Sequence, residues 1–395
     1  MTDLQSGPLE RLAADVAAAG FVTPGGTRGI ARVLPALASA LGHDVHPDAA
    51  DARRDLDVPR TSRVCVVLVD GLGFTNLAER SGHSPFLRRH LHEREPLTST
   101  FPSTTATAMG SFGTGASPGR TAMLGYTVRE PASGRLGNLV SWTGLPHAHT
   151  WQRVPTLFEQ LTADGASVTS VGPQRFAGSG LTEAALRGAT YAAAQGLTQR
   201  VDAAVAALRR PGLVYLYWGD VDKAGHHHGW GSWQWGDEVE AFDRELARLA
   251  RSVPAGTLLL VTADHGMVDV DRAQRWDVAQ HPVLADGVAL VAGEPRALHL
   301  HLDERSASEQ VARRWREVLG DAAVVATREE AVGSGWFGPV DPHVLPVVGD
   351  VVVAMTGRAT VVDSATQTPA SLELVGVHGS GTPHEVLVPF VLVST

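Results

Sequence analysis

Six acidic and imidazole side chains of this chain have the types and settings that divalent cations favour. They fall in four short segments. These are VCVVLVDGLG around Asp70, YLYWGDVDKAGH around Asp222 and His226, LLLVTADHG around Asp264 and His265, and VGVHGSG around His378. Carboxylate oxygen and imidazole nitrogen suit ions such as zinc, and a pair of such ions suits chemistry on phosphate. Asp222 and His226 are four residues apart, a spacing that puts both on one face of a helical turn. Asp220 competes with Asp222 for this role, and the glycines around the His run argue against a long helix. Asp70 precedes Gly71, where a turn aspartate also sits. Asp264 and His265 are neighbours, so both reach one ion only if the preceding strand ends at Ala263. His378 stands between glycines, a setting that permits close approach. His147, His149, His281, His299, His301 and His384 lack such support. They are read as surface residues or as supports behind the ligands.

A nucleophile candidate lies in the Ser/Thr-rich run TSTFPSTTATAMGSFGTG at 98–115. TTATAMG reads as the start of a helix, where free backbone N–H groups favour a phosphate oxygen. A bound cation would lower the pKa of a threonine hydroxyl there. Composition leaves Thr100, Thr104 and Thr105 open, and Ser103 or Thr104 would also serve as a plain helix cap.

The elements that must position these groups are legible as period and punctuation. VCVVLVD at 64–70, SVTSVGP, LVYLYW at 213–218 and TLLLVTAD read as buried strands. Between them lie helical patterns. These are 74–92 (broken at SGHSP), VPTLFEQLTADG ending at Gly165, the Ala-rich 182–209, and a long amphipathic helix with Val239, Phe242, Leu246 and Leu249 on its apolar face. The alternation predicts an α/β fold: a mostly parallel sheet flanked by helices on both faces. Residues 275–370 differ, with short strands (GVALVA, ALHLHL, AAVVAT, DVVVAM) around one helix near 307–319. The expected organisation is a helical extension at 1–60, a catalytic core at 61–274, a small α+β insertion at 275–370, and the rest of the core at 371–395, ending in a strand, EVLVPFVLV. Residues 116–150 read as a loop.

Composition bounds the function. With 395 residues and 44% hydrophobic content, the chain can bury a large core. A net charge of -9 argues against a binder of nucleic-acid duplexes, though bound cations would reverse the field locally for a phosphate substrate. The single cysteine, Cys65, excludes a disulfide framework within the chain. Neither an export signal nor the ~20-residue apolar run of a membrane span is seen, so a cytoplasmic protein without a membrane partner is expected.

Taken together and in order, the four segments resemble the alkaline phosphatase superfamily, and within it the nucleotide pyrophosphatase/phosphodiesterase branch. The resemblance covers about 62–270 and 371–395. That branch has Phe-Pro, two residues, a nucleophilic Thr, and a Thr-Gly ending ten residues beyond it. Here Phe101-Pro102-Ser103-Thr104-Thr105 leads to Thr114-Gly115, which selects Thr105. An alignment on Thr-Phe-Pro selects Thr100 instead, but sets Thr-Gly five residues too late. The resemblance implies two zinc sites. One holds Asp222, His226 and His378, the Asp-x-x-x-His string deciding for Asp222 over Asp220. The other holds Asp70, Asp264 and His265 with the Thr105 oxygen. The family often has an asparagine about twenty residues after the nucleophile. Tyr126 stands near that place here, so its phosphate contact would differ.

The resemblance implies hydrolysis of phosphodiester or pyrophosphate bonds in a small, nucleotide-like substrate through a phospho-threonine intermediate. The backbone N–H of Ala106 is a further candidate donor to phosphate oxygen. A phosphomonoesterase is the second reading, and a phosphonate hydrolase or phosphotransfer enzyme the third. No Lys or Arg flanks Thr105 in sequence, which favours the less charged diester, although Arg120, Arg129 or Arg175 could fold in. A sulfatase is disfavoured, since no Cys lies near the nucleophile. The non-enzymatic alternative is a metal-stabilised binding module in which Trp230, Trp233 and Trp235 stack on a ligand.

Overall fold

The structure is a computed structural model that describes residues 7–395. Six strands form the central sheet: β1 (Arg63–Val69), β2 (Val168–Gly172), β3 (Thr190–Ala193), β4 (Gly212–Trp218), β5 (Thr257–Thr262) and β6 (Val391–Ser394). Their order is β6-β5-β1-β4-β2-β3, all parallel except the antiparallel edge strand β6. Every residue of β5 is buried, as are six of seven in β1. This accounts for their unbroken Val/Leu runs, since a strand covered on both faces has no polar side to show. Val69 lies opposite Trp218, and Leu68 opposite Thr262. The carboxyl ends of β1, β4 and β5 therefore finish level, and the residues just beyond them share one crevice.

Three helices matter to the site. Helix α1 (Thr105–Thr114) ends at Gly115, whose φ of 73° is the left-handed stop a helix favours. Helix α2 (Asp220–His228) follows β4 directly, and α3 (Trp233–Ser252) follows after Ser232, whose side chain caps it by accepting from the Trp235 N–H. The expected face of α3 is the buried one: Val239, Phe242, Leu246 and Leu249. Among the described residues before 61, one helix packs on this core. All eight residues of the helix Val33–Ala40 are buried, and it packs against α1.

The Ala-rich stretch 182–209 departs from its helical expectation. It holds two helices, Gly180–Ala185 and Leu197–Ala207, with β3 between them. Alanine favours helix locally, but pairing of Thr190 with Thr169 on β2 overrides that preference. The expected final strand also divides. Leu387–Val388 pairs with Leu97–Thr98, and β6 begins beyond Pro389, which has no N–H to continue a ladder.

A second six-stranded sheet draws four of its strands from residues 288–355. Its order is Ala323–Thr327, Val351–Met355, Ala297–Leu302, Val288–Glu294, Thr127–Arg129 and Leu136–Asn138. The first four are the short strands expected, and Ser308–Leu319 is the expected helix. The last two come from the segment read as loop: neither has the length or alternation to announce itself. His299 and His301, read as surface or supporting residues, are 1% and 3% exposed. They share one face of Ala297–Leu302, and burial pushes both down to about 3. They are neutral core residues.

One buried ion pair ties this second sheet to the last part of the core. Arg296 and Glu385 have fully buried side chains and meet in a fork, Nε to Oε1 at 3.0 Å and Nη2 to Oε2 at 2.7 Å. Arg296 also donates to the carbonyls of Met355, Thr356 and Ala359, while Glu385 accepts the Ser380 N–H. Ser380 is two residues from His378, so the pair fixes the segment that presents that histidine. Among the described residues no helix is long and apolar enough to cross a membrane.

Candidate active site

The level ends of three strands bring the six expected ligands into one buried cluster. Asp70 follows β1, Asp222 and His226 lie on α2, and Asp264 and His265 follow β5. His378 enters from the loop after Gly376–Val377. The i,i+4 spacing on α2 sets His226 Nε2 3.3 Å from Asp222 Oδ2. His265 Nε2 is 3.4 Å from Asp70 Oδ1 and 3.5 Å from Asp264 Oδ2. His378 Nε2 is 4.0 Å from Asp222 Oδ1, and its ring stacks on that of His265 at 3.5 Å. Two groups of three have ligand atoms within 4.8 Å of one another: Asp70, Asp264 and His265, and Asp222, His265 and His378. The first is the expected triad. In the second His265 takes part, with His226 beside Asp222. Gly71, at φ 71°, makes the approach possible, because a Cβ there would lie 2.8 Å from Asp222 Oδ1.

The donor set fits divalent cations. Asp70 Oδ1, Asp222 Oδ1 and Asp264 Oδ2 are buried without any hydrogen-bond partner, an arrangement that costs free energy unless a cation fills it. Each imidazole is oriented from behind. Nδ1 faces a backbone carbonyl in all three: Gly376 for His226 at 2.7 Å, Gly266 for His265 at 3.0 Å, and Ser103 for His378 at 2.9 Å. A proton on Nδ1 leaves the Nε2 lone pair free toward the cluster.

The electrostatics point the same way. Burial, then the charges of Asp264 and Asp222, push Asp70 well above the usual carboxylate range, against the Tyr217 hydroxyl. Burial raises Asp264 too. Burial also works to raise Asp222, but His226, His265 and His378 together hold it below the usual range. Burial lowers His226, and the Asp222 carboxylate outweighs this to bring it to about 9. His378 is pushed well down by burial and by His265 and His226. Three carboxylates crowded in a dry crevice repel, and positive charge between them relieves the conflict.

Thr105 is the first residue of α1, and its Oγ1 is 3.1 Å from His265 Nε2. Thr100 is buried and its hydroxyl donates to the Pro102 carbonyl at 2.8 Å. Thr104 takes the cap position of α1 without a side-chain capping bond, and Ser103 donates to the Ser380 carbonyl. Ala106 is the second residue of α1, in the first turn where N–H groups lack helical partners. Two cavities border the cluster. The first, 470 Å³, is lined by Asp70, Thr105, Tyr126, Asp222, His226 and His378 together with Arg175, Phe176 and Tyr191. Arg175 thus reaches the site, whereas Arg120 and Arg129 line neither cavity. Of the three tryptophans, Trp235 is fully buried in the core, Trp230 packs against it, and Trp233 is exposed.

Two residues carried no sequence signal. Tyr217 donates its hydroxyl to Asp70 Oδ2 at 2.5 Å. It reads as one more aromatic in a strand. Glu294, the last residue of the strand Val288–Glu294, accepts the Tyr126 N–H at 2.6 Å and is only 7% exposed. Burial raises it to about 8, against the Tyr126 N–H.

Residues 64–381 match the family described as type I phosphodiesterase / nucleotide pyrophosphatase. The chain belongs to this family. Membership in this phosphodiesterase family makes it a phosphodiesterase-type hydrolase, as the order of its motifs implied. The family is metal-dependent, and the acid–histidine groups are its candidate ligands here. No curated protein matches the sequence. Among solved structures, murine ectonucleotide pyrophosphatase / phosphodiesterase 5 is similar with a TM-score of 0.65 and 14% identity, over 84% of this chain and 87% of that one. An inactive variant of that protein in complex with AMP gives 0.64 and 15%, over the same shares. Phosphonoacetate hydrolase from Sinorhizobium meliloti 1021, in complex with phosphonoformate, gives 0.65 and 22%, over 85% and 90%. At these identities the likeness is one of fold.

Proposed function

We propose that this phosphodiesterase-family member hydrolyses phosphodiester or pyrophosphate bonds of small, nucleotide-like substrates through a covalent ester on Thr105. The observation that carries the reading is the position of Thr105. Its hydroxyl starts a helix, touches His265, and borders the cavity that the acid–histidine cluster faces. Asp70, Asp264 and His265 would hold one divalent cation beside Thr105. Asp222, His226 and His378 would hold another, and the N/O donor set suits zinc. Bound cations would supply a lowered hydroxyl pKa and charge neutralisation at the reacting oxygens.

The remaining steps belong to the chain. Thr105 Oγ1 attacks phosphorus and the opposite P–O bond breaks, its electron pair leaving with the departing oxygen. The N–H of Ala106 and the Tyr126 hydroxyl would donate to nonbridging oxygens. Water then displaces Thr105, so the net reaction consumes one water and releases an alcohol or phosphate and a phosphomonoester. Two in-line displacements give net retention at phosphorus. The test is acid quenching of the metal-loaded enzyme during turnover, followed by mass analysis of the peptide containing Thr105. A phosphoryl adduct on Thr105 and retention with a chiral phosphorothioate diester are expected. Inversion of configuration, or full activity in Thr105→Ala, would refute the covalent route.

A further inference from the structure

The three ligand carboxylates share one pattern, in which one oxygen is held and the other is free. Asp264 Oδ1 accepts the N–H groups of Gly71 and His265 at 3.2 and 3.1 Å, while its Oδ2 is buried without a partner. Asp222 Oδ2 faces His226 Nε2 at 3.3 Å, and its Oδ1 is free. Asp70 Oδ2 accepts from the Tyr217 hydroxyl at 2.5 Å, and its Oδ1 is free. The holds differ in kind. Main chain secures Asp264, and a fellow ligand secures Asp222. Asp70 is secured by a side chain that is not one of the six ligands.

Register brings this contact about. Tyr217 on β4 lies opposite Leu68 on β1, and the Asp70 N–H continues the pairing by donating to the Trp218 carbonyl at 2.8 Å. The phenol thus reaches Asp70 from the neighbouring strand, with both backbones fixed by the sheet. Gly219 keeps the hydroxyl's place open, since a Cβ there would lie 2.5 Å from the Tyr217 Oη. Phe176 packs edge-on against the ring at 5.7 Å. A carboxylate with two free oxygens turns readily about its Cβ–Cγ bond and can offer a cation either oxygen or both. With Oδ2 held, Asp70 offers Oδ1. That oxygen is 3.4 Å from His265 Nε2, the nitrogen that Thr105 Oγ1 meets at 3.1 Å.

We propose that Tyr217 is a positioning residue: it restricts Asp70 to one oxygen toward the cation beside Thr105, and so sets both the hold on that cation and the alignment of the nucleophile. The inference rests on the two-cation hydrolase reading above. Tyr217 also lines the first cavity, so the rival role is that of a plain wall of the substrate site. The two roles separate by their readouts. A wall acts on substrate binding, whereas a positioning residue acts on the cation with no substrate present.

The experiment titrates the metal-free protein with zinc in competition with a chromophoric chelator, and Asp70→Ala marks which binding step belongs to the Asp70 site. Tyr217→Phe keeps the ring and removes only the donor. It is expected to weaken that step about 10- to 100-fold and to leave the other step unchanged. With zinc saturating, kcat on the chromogenic diester bis(nitrophenyl) phosphate is expected to fall by a similar factor with KM little changed. The metal-free variant is expected to melt with the parent, which separates the effect from a general loosening of the fold. Gly219→Ala leaves the phenol in place but crowds its hydroxyl off Asp70. It is expected to weaken the same step, and it carries the test if Tyr217→Phe does not fold. An unchanged Asp70 step in either folded variant, or a raised KM with kcat and zinc affinity kept, would overturn the inference alone. If the parent binds no zinc or leaves the diester intact, the hydrolase reading falls and the inference falls with it.

Discussion

Replacing Arg296 by methionine should cost this protein far more than a lost surface contact. Arg296→Met keeps most of the stem but leaves Glu385 buried without its fork and the Ala359 carbonyl without a donor, while the Met355 and Thr356 carbonyls keep the Ser380 hydroxyl and the Ala359 N–H. Removing one partner of a buried ion pair costs about 3–5 kcal/mol. Glu385→Leu should cost a similar amount, because it strands the guanidinium, the Ser380 N–H and the Thr382 hydroxyl. The double variant has no uncompensated charge. It still leaves the Ala359 carbonyl, the Ser380 N–H and the Thr382 hydroxyl unpaired, at about 1 kcal/mol each. Its expected cost is therefore about 3 kcal/mol, no more than either single change and well below their sum. The assay is urea unfolding of the three variants and the parent, followed by tryptophan fluorescence and circular dichroism together so that a two-state treatment can be checked. A coupling energy of about 3 kcal/mol or more is expected. A double variant whose cost equals the sum of the singles would refute the reasoning, as would Arg296→Met costing under about 1 kcal/mol.

Other outcomes follow from the site. Thr105→Ala should lower kcat by at least about 10³-fold with little change in thermal stability, while Thr100→Ala should change it by less than about tenfold; the reverse pattern would move the nucleophile to Thr100. Chelation should lower the melting temperature, and zinc at about 100 times its Kd should restore about 2.7 kcal/mol, read by calorimetry; His378→Ala should lower the metal content by elemental analysis. Glu294 has its folded pKa raised to about 8 by burial, so its contribution to stability is full below about pH 4.3 and is lost as the pH rises toward 8. Glu294→Gln should therefore flatten the stability loss between those values, by at most about 5 kcal/mol, and parallel pH profiles for the two proteins would contradict this. Tyr126→Phe should raise KM about 2- to 10-fold, the range of one hydrogen bond, and a change confined to kcat would assign the hydroxyl to the transition state instead.

The parts of this molecule that were legible in the sequence are those with a local signature. Val/Leu runs ending in Asp-Gly or Asp-His marked β1 and β5, and an i,i+4 pair marked Asp222 and His226. What was illegible depends on distant partners. β3 is strand because β2 offers it a ladder, against its alanine content. Thr127–Arg129 and Leu136–Asn138 are strands because Val288–Glu294, more than a hundred residues later, completes their sheet. Glu294 is an unremarked glutamate in a hairpin until the fold sets it beside Tyr126 and Gly379. Tyr217 was hidden for the opposite reason, since an aromatic residue in a buried strand needs no special explanation.

The carbonyls behind the three imidazoles have a consequence for how the site can be altered. Gly376, Gly266 and Ser103 hold His226, His265 and His378 through main-chain oxygen, which every amino acid carries. Substitution at two of these supports still disturbs them, because a Cβ at Gly266 would lie 2.0 Å from the His384 carbonyl oxygen and one at Gly376 2.5 Å from the Gly225 carbonyl oxygen. A larger residue there would shift the main chain and with it the aim of His265 and His226, so the ligands are held by backbone that only glycine leaves undisturbed.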